Sequence, residues 1–409
     1  MSQIAIAGGG AAGFFAAIAA AEASADNEVS LFERSPHFLS KVRISGGGRC
    51  NVTHGLFDAR MFTTRYPRGE RELIAPFHRF SAQDTVRWFE SRGVRLKQEP
   101  DGRMFPVTNS SETIIDCLIA QAKRAGVRLY TRKGVETARS RPNGGFDLKM
   151  SESSSFACDR LLLATGGARS AVGAEIAHSL GHTIEPAVPS LFSLNVSATW
   201  LRSLPGISVP DVQVSVGKLR ERGPLLITHN GVSGPAILRL SAWGARTLHA
   251  MNYRFPLHVN WLPDMDENAL RAELVLRRET QPKRRIISSP LSHLPARLWE
   301  QLVGNAGISP ATIWTTLPRT GIAALIRQLR ATELEISGKT MNKDEFVTCG
   351  GVRLREINFK TMESQVTPHL YFAGELLDID GITGGFNFQA AWTTGWIAGN
   401  AMADSIARS

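Results

Sequence analysis

The sequence predicts an α/β protein in which a discontinuous Rossmann-like domain is interrupted by an inserted domain. Three observations support this fold class. An apolar run at residues 4–7 leads through a glycine-rich turn into an alanine-rich segment, which is the order strand, turn, helix. Alternating β-like stretches interrupt this pattern after residue 188. A strand at 370–373 and a long alanine-rich helix then resume it.

The glycine-rich turn has the spacing G-x-G-x-x-G at Gly8, Gly10 and Gly13. Gly8 allows the turn, Gly10 lets the backbone approach a pyrophosphate, and Gly13 lets the helix pack close to the strand. A second apolar strand at 28–32 ends at Glu33, about twenty residues beyond the last glycine, where a carboxylate can accept hydrogen bonds from a ribose. This pattern predicts a site for FAD or NAD rather than for a 2′-phosphorylated nucleotide. The alternative is a βαβ turn with a structural role only.

The composition limits the class of protein. At 409 residues the chain is long enough for two or three domains with real cores. Cys50, Cys117, Cys158 and Cys349 have neither C-x-x-C nor secreted-scaffold spacing, which favours reduced thiols in a cytoplasmic protein over disulfides or structural zinc. The N-terminal apolar run has no basic region before it and is broken by glycines, so it predicts neither a signal peptide nor a membrane span.

The chain is strongly basic, with a formal net charge of +10 and a pI near 9.8. The basic residues cluster at Arg60, Arg65, Arg68, Arg71 and Arg79, at Lys123, Arg124 and Arg128, and at Arg277, Arg278, Lys283, Arg284 and Arg285. An anionic partner is one interpretation. Solvated helix faces are the other, since no aromatic-interleaved RNA motif accompanies the charge.

Two more glycine-rich stretches expose backbone donors. Residues 41–53 predict a glycine-rich loop, in which 45–51 read SGGGRCN. Its three consecutive glycines suit close approach to a flat or phosphorylated ligand, whose charge Lys41 or Arg49 could offset. A buried strand at 161–163 leads into Thr165, Gly166 and Gly167, which suits passage beside a bound dinucleotide. A flexible surface turn and a structural strand end are the respective alternatives.

The segments in between predict regular secondary structure. We expect an amphipathic helix at 80–98, a capped helix at 110–126, a strand at 127–130 and a hairpin of strands at 146–150 and 156–158. Residues 102–106 predict a loop and a strand edge, where Arg103 could touch a substrate or lie on the surface.

An inserted domain is predicted from about residue 188, because strands at 190–196, 212–216 and 225–228 replace the earlier pattern. His229 follows in a tight loop before a helix, where it could face the bound ligand or only organise the loop. Residues 264–330 have helical composition broken by prolines. We therefore assign 1–187 and 340–409 to the nucleotide-binding domain and 188–339 to the insertion, with a β-rich part at about 188–262 and a helical part at about 263–330.

After the insertion, a strand ending in Gly374 and Glu375 precedes a loop rich in glycine and acid and a helix at 388–406. The N-terminus of this helix should point into the site. Reduced flavin is anionic near N1, and a helix N-terminus stabilises such a charge.

Together these segments resemble the bacterial flavoprotein family of the BaiN and RdsA type, whose members are often labelled NAD(FAD)-utilizing dehydrogenases or aminoacetone oxidase family FAD-binding enzymes. The matching stretches are 8–13, 45–51, 102–106, 164–167, 231–235, KTMES at 360–364 and 373–399. SGGGRCN together with AGELLDIDGITGGFNFQAAW is far more specific than the first fingerprint alone. The sequence departs from the usual pattern at His54, Asn230 and Cys349, and its insertion is short.

The resemblance implies a glutathione-reductase-type FAD-binding domain, interrupted by an insertion with a β-rich and a helical part. It also implies an FAD site drawn from all the glycine-rich stretches and their neighbours. The implied cofactor-binding residues are Gly8, Gly10, Ala11, Ala12, Gly13, Glu33, Arg34, Lys41, Ser45, Gly46, Gly47, Arg49, Cys50, Asn51, Val135, Thr165, Gly166, Gly167, Gly374, Glu375, Asp380, Gly384, Gly385, Phe386 and Asn387.

Family members are similar to reductases of activated carbon–carbon double bonds, one branch acting on steroid-like enones and another on a uridine of ribosomal RNA. The resemblance therefore implies an FAD-dependent oxidoreductase in which NAD(P)H reduces the flavin and flavin N5 delivers hydride to an unsaturated acceptor. A ribosomal RNA uridine reductase is the alternative, and a flavin-binding sensor without turnover is the alternative of another class. No membrane partner and no metal are expected.

The sequence does not decide two parts of this hypothesis, the binding site of NAD(P)H and the identity of the proton donor. No second G-x-G-x-x-G opens a nicotinamide domain, so NAD(P)H must bind in the open cleft, bind weakly, or be replaced by another reductant. Reduction of an alkene also needs a proton, and the candidate donors are Cys50, His229 and Cys349. A thiol with a pKa near about 8.5 is mostly protonated at neutral pH and can serve as the acid.

Overall fold

The computed structural model describes residues 2–167, 171–340 and 347–404. The chain divides into two compact units, Met1–Pro189 with Lys343–Ser409, and Ser190–Asn342. Among the described residues, no helix is long and apolar enough to cross a membrane.

The first unit begins with eleven strands and seven helices. In chain order these are β1 Ser2–Ala7, α1 Ala11–Ala23, β2 Asn27–Phe32, α2 Ser40–Gly48, β3 Thr53–His54, α3 Ala59–Thr63, α4 Ile74–Arg79, α5 Ala82–Glu90, β4 Leu96–Gln98, β5 Arg103–Pro106, α6 Ser111–Arg124, β6 Arg128–Tyr130, β7 Val135–Ser140, β8 Phe146–Met150, β9 Ser155–Cys158, β10 Arg160–Leu163, α7 Ala171–Ser179 and β11 Ile184–Ser190.

The second unit follows, and the chain then returns to the first. The second unit contains β12 Ser193–Val196, α8 Thr199–Arg202, β13 Ser208–Val216, β14 Leu219–Ile227, β15 Gly231–Ser233, α9 Pro235–Trp243, α10 Ala245–Ala250, β16 Phe255–Asn260, α11 Glu267–Thr280, α12 Ala296–Asn305, α13 Arg319–Ala331 and β17 Thr332–Thr340. The returning segment contains β18 Val347–Val352, β19 Ile357–Asn358, β20 Glu363–Ser364, β21 Leu370–Phe372 and α14 Phe386–Asp404, with a 3₁₀ turn at Gly374–Leu376.

A seven-stranded sheet in the order β19-β20-β21-β10-β1-β2-β6 organises the first unit. The strands from β21 to β6 are parallel, and Ile4 of β1 lies opposite both Arg160 of β10 and Val29 of β2. Parallel neighbours in register end at the same edge of the sheet. The chain segments that follow β1, β2, β10 and β21 therefore meet at one edge, and these segments carry most of the predicted site residues.

Helices α1 and α14 pack closely because glycine and alanine line their contact. A Cβ on Gly395 would lie 2.4 Å from the carbonyl oxygen of Ala12, and a Cβ on Gly399 would lie 2.3 Å from that of Ala16. All residues of α1 from Ala12 to Ala20 are buried. A helix that is apolar on every side is a core helix. The alanine-rich composition therefore reflects close packing at the centre of the first unit.

The second unit is built on a closed barrel in the order β12-β15-β14-β13-β16-β17. Its core includes Trp261, Trp299 and Trp314, and the Trp261 indole N–H donates to the Thr332 hydroxyl at 2.7 Å. Strand β17 closes the barrel directly after α13 and was not predicted. Its alternation of buried Leu334 and Ile336 with exposed neighbours is a strand pattern that the adjoining helix masks.

Two predicted elements are corrected by the structure. The single helix predicted at 80–98 is wrong, because a capping box between Ser81 and Asp84 starts α5, which ends at Glu90 before Gly93 takes a φ of +83° and β4 begins. The loop predicted after residue 41 instead begins as the helix α2, whose regular backbone is lost at Ser45. The helix predicted to end at residue 406 is observed to Asp404, and the two residues beyond lie outside the described part of the chain.

Candidate functional site

The turn between β1 and α1 has two glycines that backbone packing requires. Gly8 has a φ of +117°, and a Cβ on it would lie 2.2 Å from the Ala164 carbonyl oxygen. A Cβ on Gly13 would lie 1.9 Å from the Gly8 carbonyl oxygen. Both distances are far below van der Waals contact, so these glycines allow the turn, the neighbouring strand end and the helix to pack together.

Gly10 is different, because a Cβ on it would meet no atom within 4 Å. It is the N-cap of α1, and no side chain caps the helix there. The space beside Gly10 is therefore open at the N-terminus of α1, which is the end of the helix where its dipole favours an anion. A dinucleotide pyrophosphate fits this open cradle, which Ala11 and Ala12 continue.

Glu33 holds the glycine turn against the end of β2. Its Oε2 accepts from the Gly9 N–H at 2.9 Å, and its Oε1 accepts from the Ser35 N–H at 2.8 Å. A carboxylate has about four lone-pair sites, so ribose hydroxyls could still be accepted. Arg34 lies beside the start of β7, because a Cβ on Gly134 would approach the Arg34 Cβ to 2.9 Å. Val135 follows directly, so Glu33, Arg34 and Val135 belong to one region.

The two predicted cations are engaged by carboxylates. Lys41 forms an ion pair with Glu375, whose other oxygen accepts from the Thr348 N–H at 2.9 Å. Arg49 pairs with Glu99 at 2.7 Å, and its guanidinium lies 4.1 Å from the centre of the Phe105 ring. Both cations therefore already have a negatively charged partner. The N-terminus of α1 is the feature that suits the negative charge of a phosphate.

The SGGGRCN stretch leaves the helical conformation as it enters the site. Ser45 has a ψ of 148°, and Gly46 and Gly47 have φ values of +57° and +68°. A Cβ on Gly47 or Gly48 would meet nothing within 4 Å, so this backbone also borders open space. Ser45 turns its hydroxyl back to the Val42 carbonyl at 2.8 Å. The backbone of the stretch, rather than the Ser45 side chain, is thus available to a ligand.

The loop before α14 is attached to the end of the SGGGRCN stretch. The side-chain amide of Asn51 is oriented so that both its oxygen and its nitrogen form hydrogen bonds. The oxygen accepts from the Gly385 N–H at 2.9 Å, and the nitrogen donates to the Thr53 carbonyl at 3.0 Å. A Cβ on Gly385 would lie 2.6 Å from that carbonyl, and Gly384 also has a positive φ of +130°. These contacts bring two segments more than 300 residues apart in sequence to one place, as the hydrogen bond between Thr53 and Gln389 also does across 336 positions.

Asp380 and Asn387 organise this loop from within. The Asp380 carboxylate is fully buried and pairs with Arg68, whose side chain is 12% exposed. Asn387 binds both sides of Gly381, accepting from its N–H at 2.8 Å and donating to its carbonyl at 2.9 Å. The side chain of Phe386 is buried and stacks on His54 with a centroid distance of 5.0 Å. Arg68 was not among the predicted site residues, and only the need of a buried carboxylate for a counter-charge could have indicated it.

The strand end after β10 is placed beside the other predicted stretches. Its Ala164 carbonyl lies against Gly8, and Gly166 has a φ of +81° with no atom near its Cβ position. The end of β21 lies close by, because a Cβ on Gly374 would lie 3.0 Å from the Ala12 Cβ. The Thr165 hydroxyl instead faces α7, because a Cβ on Gly173 would lie 1.8 Å from Thr165 Oγ1. Thr165 thus packs strand against helix, and Gly166 borders open space.

The three predicted proton donors differ in burial. Cys50 and Cys349 are both fully buried in the first unit, and His229 is exposed in the turn between β14 and β15 of the second. Burial raises the pKa of the Cys50 thiol to about 12, against a smaller lowering by a hydrogen bond with Ser45. The thiol therefore keeps its proton at neutral pH, but it does not reach the surface of the site.

We expect Cys50→Ser to leave acceptor reduction unchanged, because a fully buried thiol cannot pass its proton to a substrate. The measurement is flavin reoxidation by an acceptor in a variant whose FAD content equals that of the wild type. A general acid contributes about 10²-fold or more to a rate. A loss of that size at normal FAD content would restore Cys50 as the donor.

A cavity of about 360 Å³ adjoins the predicted cofactor residues Gly166, Gly167 and Glu375. Small or apolar residues of α7, β11 and β18 form most of its wall, and α7 also contributes Glu175 and His178. Residues three apart on a helix share a face, so both side chains can border the same cavity. Sequence reasoning missed this pair, although the i, i+3 spacing on a helix directly after a glycine-rich strand end was available as an indication.

A buried relay of Ser364, His182 and Glu356 lies next to this cavity. Ser364 Oγ accepts from the N–H groups of Val366 at 2.9 Å and Thr367 at 2.7 Å, so its own proton is left for His182 Nε2 at 2.8 Å. His182 Nδ1 is then the protonated nitrogen, 3.1 Å from Glu356 Oε2. The arrangement has the residue types of a hydrolase triad, but both lone pairs of the serine oxygen are occupied. The serine is therefore not available as a nucleophile.

Acidification is expected to weaken the first unit through His182. Burial lowers the pKa of His182, against the opposing effect of Glu356, whereas an unfolded histidine titrates near pH 6.5. Below about pH 6.5 the unfolded chain therefore binds a proton that the folded chain does not, and the free energy of unfolding falls. Urea unfolding of wild type and His182→Gln between pH 8 and pH 5 measures this. The difference in free energy of unfolding between wild type and variant should shrink as the pH falls. A difference that is the same at every pH would contradict the prediction.

Comparison with known proteins identifies a family and several relatives. The family described as "HI0933-like protein Rossmann domain" matches residues 2–401. The 3-dehydro-bile acid delta(4,6)-reductase of Clostridium scindens is 30% identical over 415 residues, covering 99% of this chain and 100% of the relative. The ribosomal RNA dihydrouridine synthase of Escherichia coli K12 is 30% identical over 401 residues, covering 96% of this chain and 95% of the relative.

Solved structures share the fold at low identity. A 3-ketosteroid-delta4-(5alpha)-dehydrogenase from Rhodococcus jostii RHA1, in complex with 4-androstene-3,17-dione, has a TM-score of 0.54 and 16% identity, covering 98% of this chain and 97% of the other. A flavocytochrome c3 fumarate reductase has a TM-score of 0.51 and 16% identity, covering 98% of this chain and 78% of the other.

Proposed function

The chain belongs to the HI0933-like Rossmann family, and from this premise we propose that it reduces an activated carbon–carbon double bond of a small-molecule acceptor by hydride transfer from FAD. The observation that carries the proposal is the meeting of the four glycine-rich stretches around the open N-terminus of α1. NAD(P)H is the reductant in this proposal, and a cytoplasmic location is part of it.

The family match and the shared fold confirm three predictions made from the sequence. The family resemblance is correct, the fold class is a Rossmann-type FAD-binding fold, and the protein is an FAD-dependent oxidoreductase. The acceptor, the reductant and the individual site residues remain proposals.

The residues present suit FAD. The N-terminus of α1 at Gly10 would hold the pyrophosphate, Glu33 a ribose, and the N-terminus of α14 the electron-rich edge of the flavin. When bound, the cofactor supplies a hydride donor at flavin N5. Because Lys41 and Arg49 already pair with carboxylates, the site balances the cofactor's negative charge mainly through backbone N–H groups.

A small unsaturated acceptor suits the cavity beside Gly166 and Glu375. Its wall consists mostly of glycine backbone and apolar side chains, which suit a flat and largely apolar molecule, and a few polar side chains remain to orient it. A relative that is 30% identical over its whole length is named as a reductase of a steroid-like acid, which supports an enone as the class of acceptor.

A ribosomal RNA uridine is the second candidate acceptor. Two relatives are named as ribosomal RNA dihydrouridine synthases, and this chain has a net charge of +10. Phe57, 43% exposed, lies close in sequence to exposed Arg60 and Arg65. An exposed aromatic ring among cations can stack on a base while the cations meet phosphates.

Two measurements decide between the candidates. Mass spectrometry of ribosomal RNA nucleosides from cells with and without the gene should show equal dihydrouridine if the acceptor is small. Stopped-flow mixing of the NAD(P)H-reduced enzyme with cyclic enones should then show rapid flavin reoxidation.

Two other outcomes would favour the alternative functions. Loss of a dihydrouridine that returns on complementation would establish the RNA candidate, and RNA affinity should then fall steeply with salt. A flavin that no pyridine nucleotide reduces and no acceptor reoxidises would indicate a sensor without turnover.

A further inference from the structure

The cavity beside Gly166 and Glu375 contains few groups that can move a proton. Among the described residues that line it, the titratable side chains are Glu175, His178 and Glu375. Glu375 is engaged with Lys41 and the Thr348 N–H. Glu175 and His178 are both exposed, and Glu175, when ionised, can only accept hydrogen bonds. Of these three side chains, His178 is therefore the one whose ring nitrogens can carry and donate a proton.

One hydrogen bond fixes which nitrogen of His178 can react. Its Nδ1 lies 3.3 Å from the carbonyl oxygen of His182. A carbonyl can only accept, so Nδ1 carries the hydrogen, and Nε2 is the atom that gains or loses a proton. The accepting carbonyl belongs to His182, whose ring is hydrogen-bonded to Ser364 and Glu356. These two side chains therefore also help to fix the orientation of the His178 ring.

We propose that His178 is the general acid of the reaction, donating its Nε2 proton to the acceptor carbon next to the one that receives hydride. This inference rests on the proposed function. The hydride pair forms one new C–H bond, and the former π pair forms the other with the proton. The N–H pair returns to Nε2, and the neutral ring keeps its Nδ1 hydrogen on the His182 carbonyl. Water then restores the proton at Nε2.

This assignment gives His178 the role for which Cys50, His229 and Cys349 were considered. It also gives the relay a function, because Ser364 lies in the KTMES stretch, which the cofactor site does not use. In this arrangement Ser364, His182 and Glu356 are positioning residues. None of the three is among the described residues that line the cavity, and they hold the residue whose carbonyl orients the acid.

The test compares His178→Gln with His293→Gln, a control at an exposed histidine of the second unit. Cyclohex-2-enone is the acceptor, and the two half-reactions are followed separately by stopped flow. In His178→Gln we expect normal FAD content and normal flavin reduction, but reoxidation by the enone slowed by about 10²-fold. The fall of the wild-type reoxidation rate with rising pH should disappear in this variant, and added imidazole should restore part of the rate.

Two readouts do not depend on turnover. Long-range ¹H–¹⁵N spectra should show the His178 ring of the wild type with its hydrogen on Nδ1 at high pH. Enone binding to the oxidised holoenzyme, followed by the flavin spectrum, should be unchanged in His178→Gln. The other charged groups that line the same cavity are Glu175 on the same helix and Glu375, which pairs with Lys41.

Each contrary outcome has a distinct meaning. Unchanged reoxidation in His178→Gln, or a ring with its hydrogen on Nε2, overturns the assignment while leaving the proposed reductase intact. A loss of FAD in His178→Gln, but not in His293→Gln, means that the cavity belongs to the cofactor, which also overturns it. A wild-type flavin that no enone reoxidises removes the proposed function, and the assignment with it.

Discussion

Asp380→Ala is expected to destabilise the protein by about 3–5 kcal/mol, the usual cost of leaving one partner of a buried ion pair without its counter-charge. The Asp380 side chain is fully buried and that of Arg68 is 12% exposed, so water cannot replace the lost carboxylate around the guanidinium. Urea unfolding followed by circular dichroism measures the effect. FAD content should fall with stability, because the same loop contains Gly381, which Asn387 holds, and Gly384 and Gly385.

Two further variants separate charge from shape. Asp380→Asn keeps the volume of the side chain but not its charge, and it should be nearly as damaging as the alanine variant. Glu136→Ala removes a carboxylate from an exposed pair with Lys149, in which both side chains are about half exposed, and should cost no more than about 1 kcal/mol. A loss of similar size in Glu136→Ala and Asp380→Ala would show that burial does not govern the strength of these pairs.

The parts of the site that could be predicted are those in which spacing along the chain reflects a backbone requirement. Gly8 and Gly13 were identified because strand, turn and helix leave room for nothing larger, and this constraint is local. Glu33 follows from the same unit. The edge at which the other glycine-rich stretches meet follows from parallel strands that end together, so the strand order and the composition of those stretches together predict the candidate site.

The roles of the charged residues could not be predicted, because they depend on pairing between distant positions. Lys41 and Glu375 are 334 residues apart, and Arg68 and Asp380 are 312 apart. The sequence marked Lys41, Arg49 and Asp380 as groups that could contact a ligand. In the structure each contacts a residue of opposite charge. A charged residue beside a glycine-rich loop therefore indicates that a site is near, but it does not indicate that this residue contacts the ligand.

Gly10→Ala and Gly13→Ala are expected to fail in different ways, although both remove a glycine of the same fingerprint. Gly13→Ala puts a methyl group 1.9 Å from the Gly8 carbonyl oxygen, so the backbone must shift, with an expected cost of about 1–3 kcal/mol in the free energy of unfolding. The apoprotein should already show this loss in urea unfolding, and FAD binding should weaken as a consequence.

Gly10→Ala should leave the apoprotein nearly as stable as the wild type, because the φ of −94° suits alanine and the Cβ position is empty to 4 Å. The new methyl group would instead occupy the space in front of α1 where the pyrophosphate is proposed to lie. FAD affinity, measured by the fluorescence change on titrating the apoprotein, should fall by at least about tenfold, or about 1.4 kcal/mol. Wild-type affinity in Gly10→Ala would mean that the cofactor does not approach this turn, and a weakened apoprotein would mean that Gly10 is required for packing as Gly13 is.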